Sequence, residues 1–263
     1  MTIFIFDIET VPDVDSGRRL YQLDGLSDKE VGDVMFHKRR QETGSSDFLR
    51  LHLHRIVAIS IVMYSPDQFR VWSLGDVNAS EQEIIQRFYD GIDRYTPTLV
   101  SWNGGGFDLP VLHYRALLHG VAAPRYWENG EDDNSFRWNN YLSRFHSRHT
   151  DLMDVIAGYQ PRANAPLDEI ATMLGFPGKM GMSGAKVWDN YLDGQCESIR
   201  NYCETDVLNT YLVYLRFEVI RGRLTKGGYA QRCEQVRDYL SQSGLDHLME
   251  FEQAWDEEES GLS

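Results

Sequence analysis

Asp7 and Glu9 end the apolar run of FIFDIET with one isoleucine between them. Phe4, Ile5 and Phe6 read as a buried strand, and strand side chains alternate, so the two carboxylates share one face. Like charges that close raise each other's pKa and repel unless something positive lies between them. Alone, the pair also describes a strand that has reached solvent. Half of a metal site is the other reading, and it needs carboxylates from elsewhere. In SWNGGGFDLPVL (101–112), Asp108 stands where a strand gives way to a helix, flanked by Asn103 and Phe107. An acid there is also a normal helix cap. The glycines lack the Lys-Ser/Thr and the G-x-G-x-x-G spacing of phosphate loops. In NYCETDVLNTYLVYL (201–215), Tyr202 and Asp206 are four apart and so lie on one helix face. A plain tyrosine–aspartate hydrogen bond would explain that pair as well.

The elements that must carry these residues follow from the hydrophobic pattern. RIVAISIVMY (55–64) and QFRVWSL (68–74) are β-rich and joined by Ser65, Pro66 and Asp67, which predicts a hairpin. Residues 80–92 open with Ser80 and Glu83 in capping-box spacing and carry a helical stripe of Ile84, Ile85, Phe88 and Ile92. TLVSW (98–102) is a short buried strand, and 108–120 reads as a helix closed by Gly120. An apolar segment at 152–156 and helices at 166–174 and 196–221 follow. Residues 11–53 are polar and irregular, an insertion or lid. The order implies a three-layer α/β fold with a mixed sheet.

Composition narrows the function. A net charge of −14 excludes a protein that grips nucleic acid by diffuse positive charge. Part of that charge is read as a solvated acidic tail, residues 250–260. FRWNNYLSRFHSRH (136–149) is the one basic and aromatic patch, with Arg137, Arg144 and Arg148. It suits a strand-binding groove or a solvated helix face. Lys186 in GAKVW is a candidate phosphate ligand or a plain surface lysine. No run approaches the roughly 20 apolar residues of a membrane span, and the N-terminus shows no signal peptide. Cys196, Cys203 and Cys233 read as reduced thiols of a cytoplasmic protein. The pairs His52/His54 and His146/His149 are taken as surface or groove residues.

Together, D-x-E, N-x-x-x-F-D and Y-x-x-x-D resemble, in order and rough spacing, the Exo I, Exo II and Exo III motifs of the DEDD 3′–5′ exonucleases. Tyr202 makes the resemblance one to the tyrosine (DEDDy) branch, and within it to predicted exonucleases related to the proofreading domain of family B DNA polymerases. The histidine branch would carry His where Asn201 stands. The resemblance implies a ribonuclease-H-like fold with a five-stranded mixed sheet and the first strand at its centre. It implies an exonuclease domain over 1–222 and leaves 223–263 as a helical C-terminal extension. It also implies two divalent cations, Mg²⁺ or Mn²⁺, held by Asp7, Glu9, Asp108 and Asp206, with Asp7 bridging. Tyr202 would orient the nucleophile, and Thr10, Asn103 and Phe107 would contact the terminal nucleotides of single-stranded DNA. A hydroxyl often found before the helix that here begins Pro166-Leu167 is missing. An exoribonuclease or oligonucleotidase, or a non-catalytic nucleic-acid-binding protein on the same fold, are the alternatives.

Overall fold

The computed structural model describes residues 2–261. In chain order the elements are β1 (Ile3–Pro12), α1 (Val14–Tyr21), α2 (Asp28–Thr43), β2 (His54–Ser65), β3 (Gln68–Ser73), α3 (Glu81–Tyr95), β4 (Thr98–Ser101) and α4 (Asp108–His119). There follow α5 (Pro124–Trp127), β5 (His149–Asp151), α6 (Leu152–Ile156), α7 (Leu167–Met173), α8 (Val187–Leu192), α9 (Cys196–Ile220), α10 (Lys226–Gln242) and α11 (Asp246–Gly261). The five strands form one sheet in the order β3-β2-β1-β4-β5. β1 pairs antiparallel with β2 and parallel with β4, so the sheet is mixed and β1 is its centre. This is the ribonuclease-H-like α/β arrangement.

A central strand needs both faces covered, and the sequence of β1 supplies two apolar faces in alternation. Phe4, Phe6 and Ile8 pack with Ile84, Ile85, Phe88 and Ile92 of α3 and with Leu109 and Leu112 of α4. Ile3 and Ile5 pack on the other side with Val207, Leu208, Tyr211 and Leu212 of α9. On that second face the next two residues are Asp7 and Glu9, followed by Val11, which is buried against Ala58, Ile199 and Cys203. The acids therefore interrupt an otherwise apolar face under a 25-residue helix.

Several details of the sequence reading are corrected. Residues 14–43 are not irregular: Ser27 caps α2 with a full capping box, and Val14, Val31, Met35, Leu49 and Leu53 form a core of their own. Ser80 caps α3, but the Glu83 carboxylate turns to Arg87 instead of closing a box. Residues 250–260 are not a solvated tail. Leu248, Phe251 and Trp255, spaced three and four apart, form the apolar stripe of α11 and are at most 1% exposed. Tyr239 of α10 caps the edge strand, its hydroxyl donating to the Val71 carbonyl at 3.0 Å. The 136–149 segment forms no α-helix; Phe136 and Tyr141 are buried in it, while Trp138 and Phe145 stay exposed. The fifth strand, β5, is three residues long, too short for any periodicity.

A buried ion network ties the layers together. Arg115 on α4 reaches Asp13, just beyond β1, at 2.5 Å and grips both oxygens of Glu81 on α3 at 2.7 and 2.5 Å. Glu81 also accepts the Ile56 backbone N–H of β2 at 2.7 Å. All three side chains are only 4–5% exposed. Removing one member of such a network leaves a buried charge unpaired, so Arg115→Ala should cost about 3–5 kcal/mol. Urea unfolding of the variant measures this, and a loss below about 1 kcal/mol would assign the network no structural role.

Candidate active site

The site forms where β1 loses its parallel neighbour. β4 pairs with β1 only from Ile3 to Ile5 and then runs into the glycine turn. Beyond that point the Ile8 N–H has no strand partner on that side, and it donates instead to Asp108 Oδ1 at 3.1 Å. Asp108, the first residue of α4 and 3% exposed, is thereby drawn onto β1. The glycines permit the approach, because a Cβ at Gly104 would stand 2.3 Å from Ser101 Oγ and one at Gly106 2.5 Å from Asn103 Oδ1. Asn103 takes a left-handed conformation, φ 63°, that starts the turn. From the opposite side α9 brings Tyr202 and Asp206, with the phenol donating to the carboxylate.

Asp7, Glu9, Asp108 and Asp206 thus lie within electrostatic reach of one another, although Asp7 and Asp206 are far apart in sequence. Among the described residues, donor atoms of Asp7, Glu9 and Cys203 fall within 4.8 Å of one another, and those of Asp108 and Asp206 stand farther out. Burial, then the charges of Asp108, Glu9 and Asp206, push Asp7 well above the ordinary carboxylate range. Burial, then Asp206 and Asp108, do the same to Glu9. Asp108 is pushed up to about 7 and Asp206 to about 6, in both cases mainly by burial. The Tyr202 phenol is raised far above 10 by burial and by the acids around it. Glu9 is 8% exposed and its carboxylate makes no hydrogen bond among the described residues. A carboxylate with no protein partner, close to three other acids, is the donor set that a hard divalent cation takes, so these residues fit such an ion.

Of the other sequence-predicted residues, Thr10 and Phe107 lie together beside the acids. Thr10 Oγ1 is 2.9 Å from His54 Nδ1, and the His54 ring meets Phe107 edge-on with centroids 5.2 Å apart. Phe48 packs on both rings and remains 54% exposed, so the 11–53 segment ends in an aromatic wall of the site. Lys186 and Tyr202 line the same cavity, about 400 Å³, together with Met180, Asn190 and Asn201. Arg144 is paired with Asp154 at 2.6 Å but half exposed, over a depression that Gly105 and Asp151 also line. Arg148 is a departure. It donates to the Asn139 carbonyl at 2.5 Å and lies 3.7 Å over the Phe136 ring, holding the loop together.

Four further contributors escaped the sequence reading. Asp151 accepts the Asn103 and Gly105 N–H groups, both at 2.9 Å, and so fixes the glycine turn. Its signal was hidden in the shortest strand. Cys203, next to Tyr202, lies against Asp7. Lys179, paired with Asp168 at 3.4 Å, adds a positive charge near Asp206. His54 and His149, read as surface or groove residues, are both buried, and His54 stands against Phe107. His149 is pushed down to about 4 by burial and bonded to Ser101 Oγ at 2.8 Å.

Residues 46–255 match the family described as predicted 3′–5′ exonucleases related to the exonuclease domain of PolB. The chain belongs to that family, whose members are hydrolases acting on nucleic acid. The strand that carries Asp7 and Glu9 precedes the matched segment, so the place of those two acids rests on the geometry above. A comparison with curated proteins gives no match. Among the described residues no helix is long and apolar enough to cross a membrane.

The raised carboxylates make a stability prediction with a definite sign. Acids whose folded pKa lies above the unfolded value bind more protons when folded, so their contribution is favourable at low pH. It is lost as pH rises through the folded values, about 6 and 7 for Asp206 and Asp108. In EDTA, the melting temperature should therefore fall between pH 5 and pH 8 by about 4–8 °C, and Mn²⁺ should restore it at pH 8 far more than at pH 5. Asp7→Asn should flatten the fall by relieving repulsion. A melting temperature independent of both pH and Mn²⁺ would contradict the electrostatics.

Proposed function

We propose that this protein is a DEDDy-type 3′–5′ exonuclease that hydrolyses single-stranded nucleic acid, with DNA favoured, from the 3′ end to nucleoside monophosphates. The observation that carries the reading is the meeting of Asp7, Glu9, Asp108 and Asp206 around an unpartnered carboxylate, with Tyr202 at its edge. Residues 1–222 are taken as the exonuclease unit and 223–263 as an extension, of which α10 and α11 pack into its core. Two divalent cations, Mg²⁺ or Mn²⁺, would be held by the four carboxylates. When bound they would supply a hydroxide nucleophile at neutral pH and neutralise charge on the leaving 3′-oxygen.

The rest of the work falls to the chain itself. The backbone at Asp7 and Glu9 is held by pairing with Ser60 and Ala58 of β2, up to a bulge after Glu9, and by the Asp108 carboxylate on the Ile8 N–H. Tyr202 stays protonated at any working pH, so it orients a water by hydrogen bonding and takes no proton from it. Phe107, backed by His54 and Phe48, offers aromatic surface to a terminal base that has left its stack, and Thr10 and Asn103 contact the same nucleotide. Lys186 and Arg144 take the phosphates on either side. Unpairing a duplex end costs a few kcal/mol, and a chain of net charge −14 has little diffuse attraction with which to offset it. Single strands are therefore preferred. A second reading, a nuclease of short oligonucleotides including RNA, is favoured by Arg148, whose commitment to its own loop leaves few phosphate contacts.

The assay is digestion of 5′-labelled single-stranded DNA and RNA with Mg²⁺, Mn²⁺ or EDTA. A descending ladder that EDTA abolishes and a 3′-phosphate blocks is expected, whereas immediate release of labelled mononucleotide would reverse the polarity. Asp7→Asn should lower the rate about a thousandfold or more, some 4 kcal/mol of transition-state stabilisation. Tyr202→Phe should lower it about ten- to a hundredfold while retaining Mn²⁺ binding. A fully active Tyr202→Phe would remove the phenol from the mechanism.

A further inference from the structure

Cys203 has no part in the mechanism above, yet it lies inside the acidic site. It is fully buried, and its Sγ lies 3.7 Å from Asp7 Oδ2 and 3.5 Å from the Asp7 carbonyl oxygen. Donor atoms of Asp7, Glu9 and Cys203 all fall within 4.8 Å of one another. A tetrahedral ion with a sulfur ligand at about 2.3 Å and an oxygen ligand at about 2.0 Å sets those two atoms about 3.5 Å apart. The observed separation is close to that value without movement of either strand or helix. Glu9 supplies the independent sign of a ligand, since the residue is only 8% exposed, makes no side-chain hydrogen bond among the described residues, and brings an oxygen into the same space.

We propose that Asp7, Glu9 and Cys203 form a three-donor site for a thiophilic divalent cation of the Zn²⁺ class, which excludes the hard cations of hydrolysis. A thiolate is a poor ligand for Mg²⁺ and a strong one for Zn²⁺, and carboxylates serve both. On binding, the Cys203 thiol releases its proton to solvent and the sulfur takes a position on the metal, with water completing the shell. Asp7 and Glu9 are then occupied, so hydrolysis stops while the soft ion stays. The competition rests on the reading of Asp7 and Glu9 as ligands for the hydrolytic ions; the three-donor geometry does not.

The test uses the full chain, stripped with EDTA and titrated with Co²⁺ as a spectroscopic stand-in for Zn²⁺. A sulfur-to-cobalt charge-transfer absorption should grow to one equivalent, vanish on adding Zn²⁺, and weaken under excess Mn²⁺. Cys203→Ser should abolish it and raise the Zn²⁺ dissociation constant by about tenfold or more, against less than about threefold for Mn²⁺, by calorimetry. If Cys203→Ser does not fold, Glu9→Gln should still weaken the Zn²⁺ complex and the absorption. An absorption that persists in Cys203→Ser, is absent from the wild type, or ignores Mn²⁺ overturns the site. Digestion of a labelled oligomer by the wild-type chain with Mn²⁺ alone, free of Co²⁺ and Zn²⁺ and run alongside, separates the two readings: cobalt absorption with no Mn²⁺-dependent hydrolysis sinks the exonuclease, and hydrolysis without cobalt absorption sinks the thiolate site.

Discussion

Four carboxylates are forced together where the central strand of the sheet is buried on both faces. That is the constraint from which the rest of the molecule takes its shape. Each acid loses hydration and gains like-charged neighbours, and all four are pushed up from their ordinary range. A fold that tolerates this must hold the acids with stronger interactions elsewhere. The two apolar faces of β1 supply most of that hold, with one clamped by α3 and α4 and the other by α9. The Arg115–Asp13–Glu81 network then fixes α4, whose first residue is Asp108. Charge is paired where it is structural and left unpaired where it faces the site.

The early end of the β1·β4 ladder has the same logic. A continued parallel ladder would have satisfied the Ile8 N–H and left Asp108 no place on β1. Ending it at Ile5 frees that donor, and Asp108 fills the place with a side chain that also brings charge. Asp151, at the end of β5, supports the arrangement by accepting two N–H groups of the glycine turn. The aromatic wall of Phe48, His54 and Phe107 comes from a separate part of the chain, which gives the helices of the 14–43 segment a purpose: they deliver Phe48 to the site's edge.

Most of this could be read from residue order because it depends on local chemistry. D-x-E after an apolar run, an acid at a strand-to-helix boundary, and tyrosine four residues before aspartate each carry their own geometry. The central place of β1 followed from an apolar stretch with no polar face. What stayed hidden depends on long-range packing or on very short elements. β5 has three residues and no pattern. Phe251 and Trp255 sat within a run of acids, so the apolar stripe of α11 was masked by composition. Arg148 looked like a free cation because sequence does not show the Phe136 ring and Asn139 carbonyl that claim it. Cys203 carries no motif, and its meaning comes only from the strand it packs against.

The central claim, that this cluster of acids is built for cations, is tested most directly by crystals of the wild-type chain soaked in Mn²⁺ at neutral pH and measured for anomalous scattering. The account predicts two peaks within the cluster, both touching Asp7, one completed by Glu9 and Asp206 and the other by Asp108. Absence of any peak there, with Asp108 turned away from the other three acids, would contradict it.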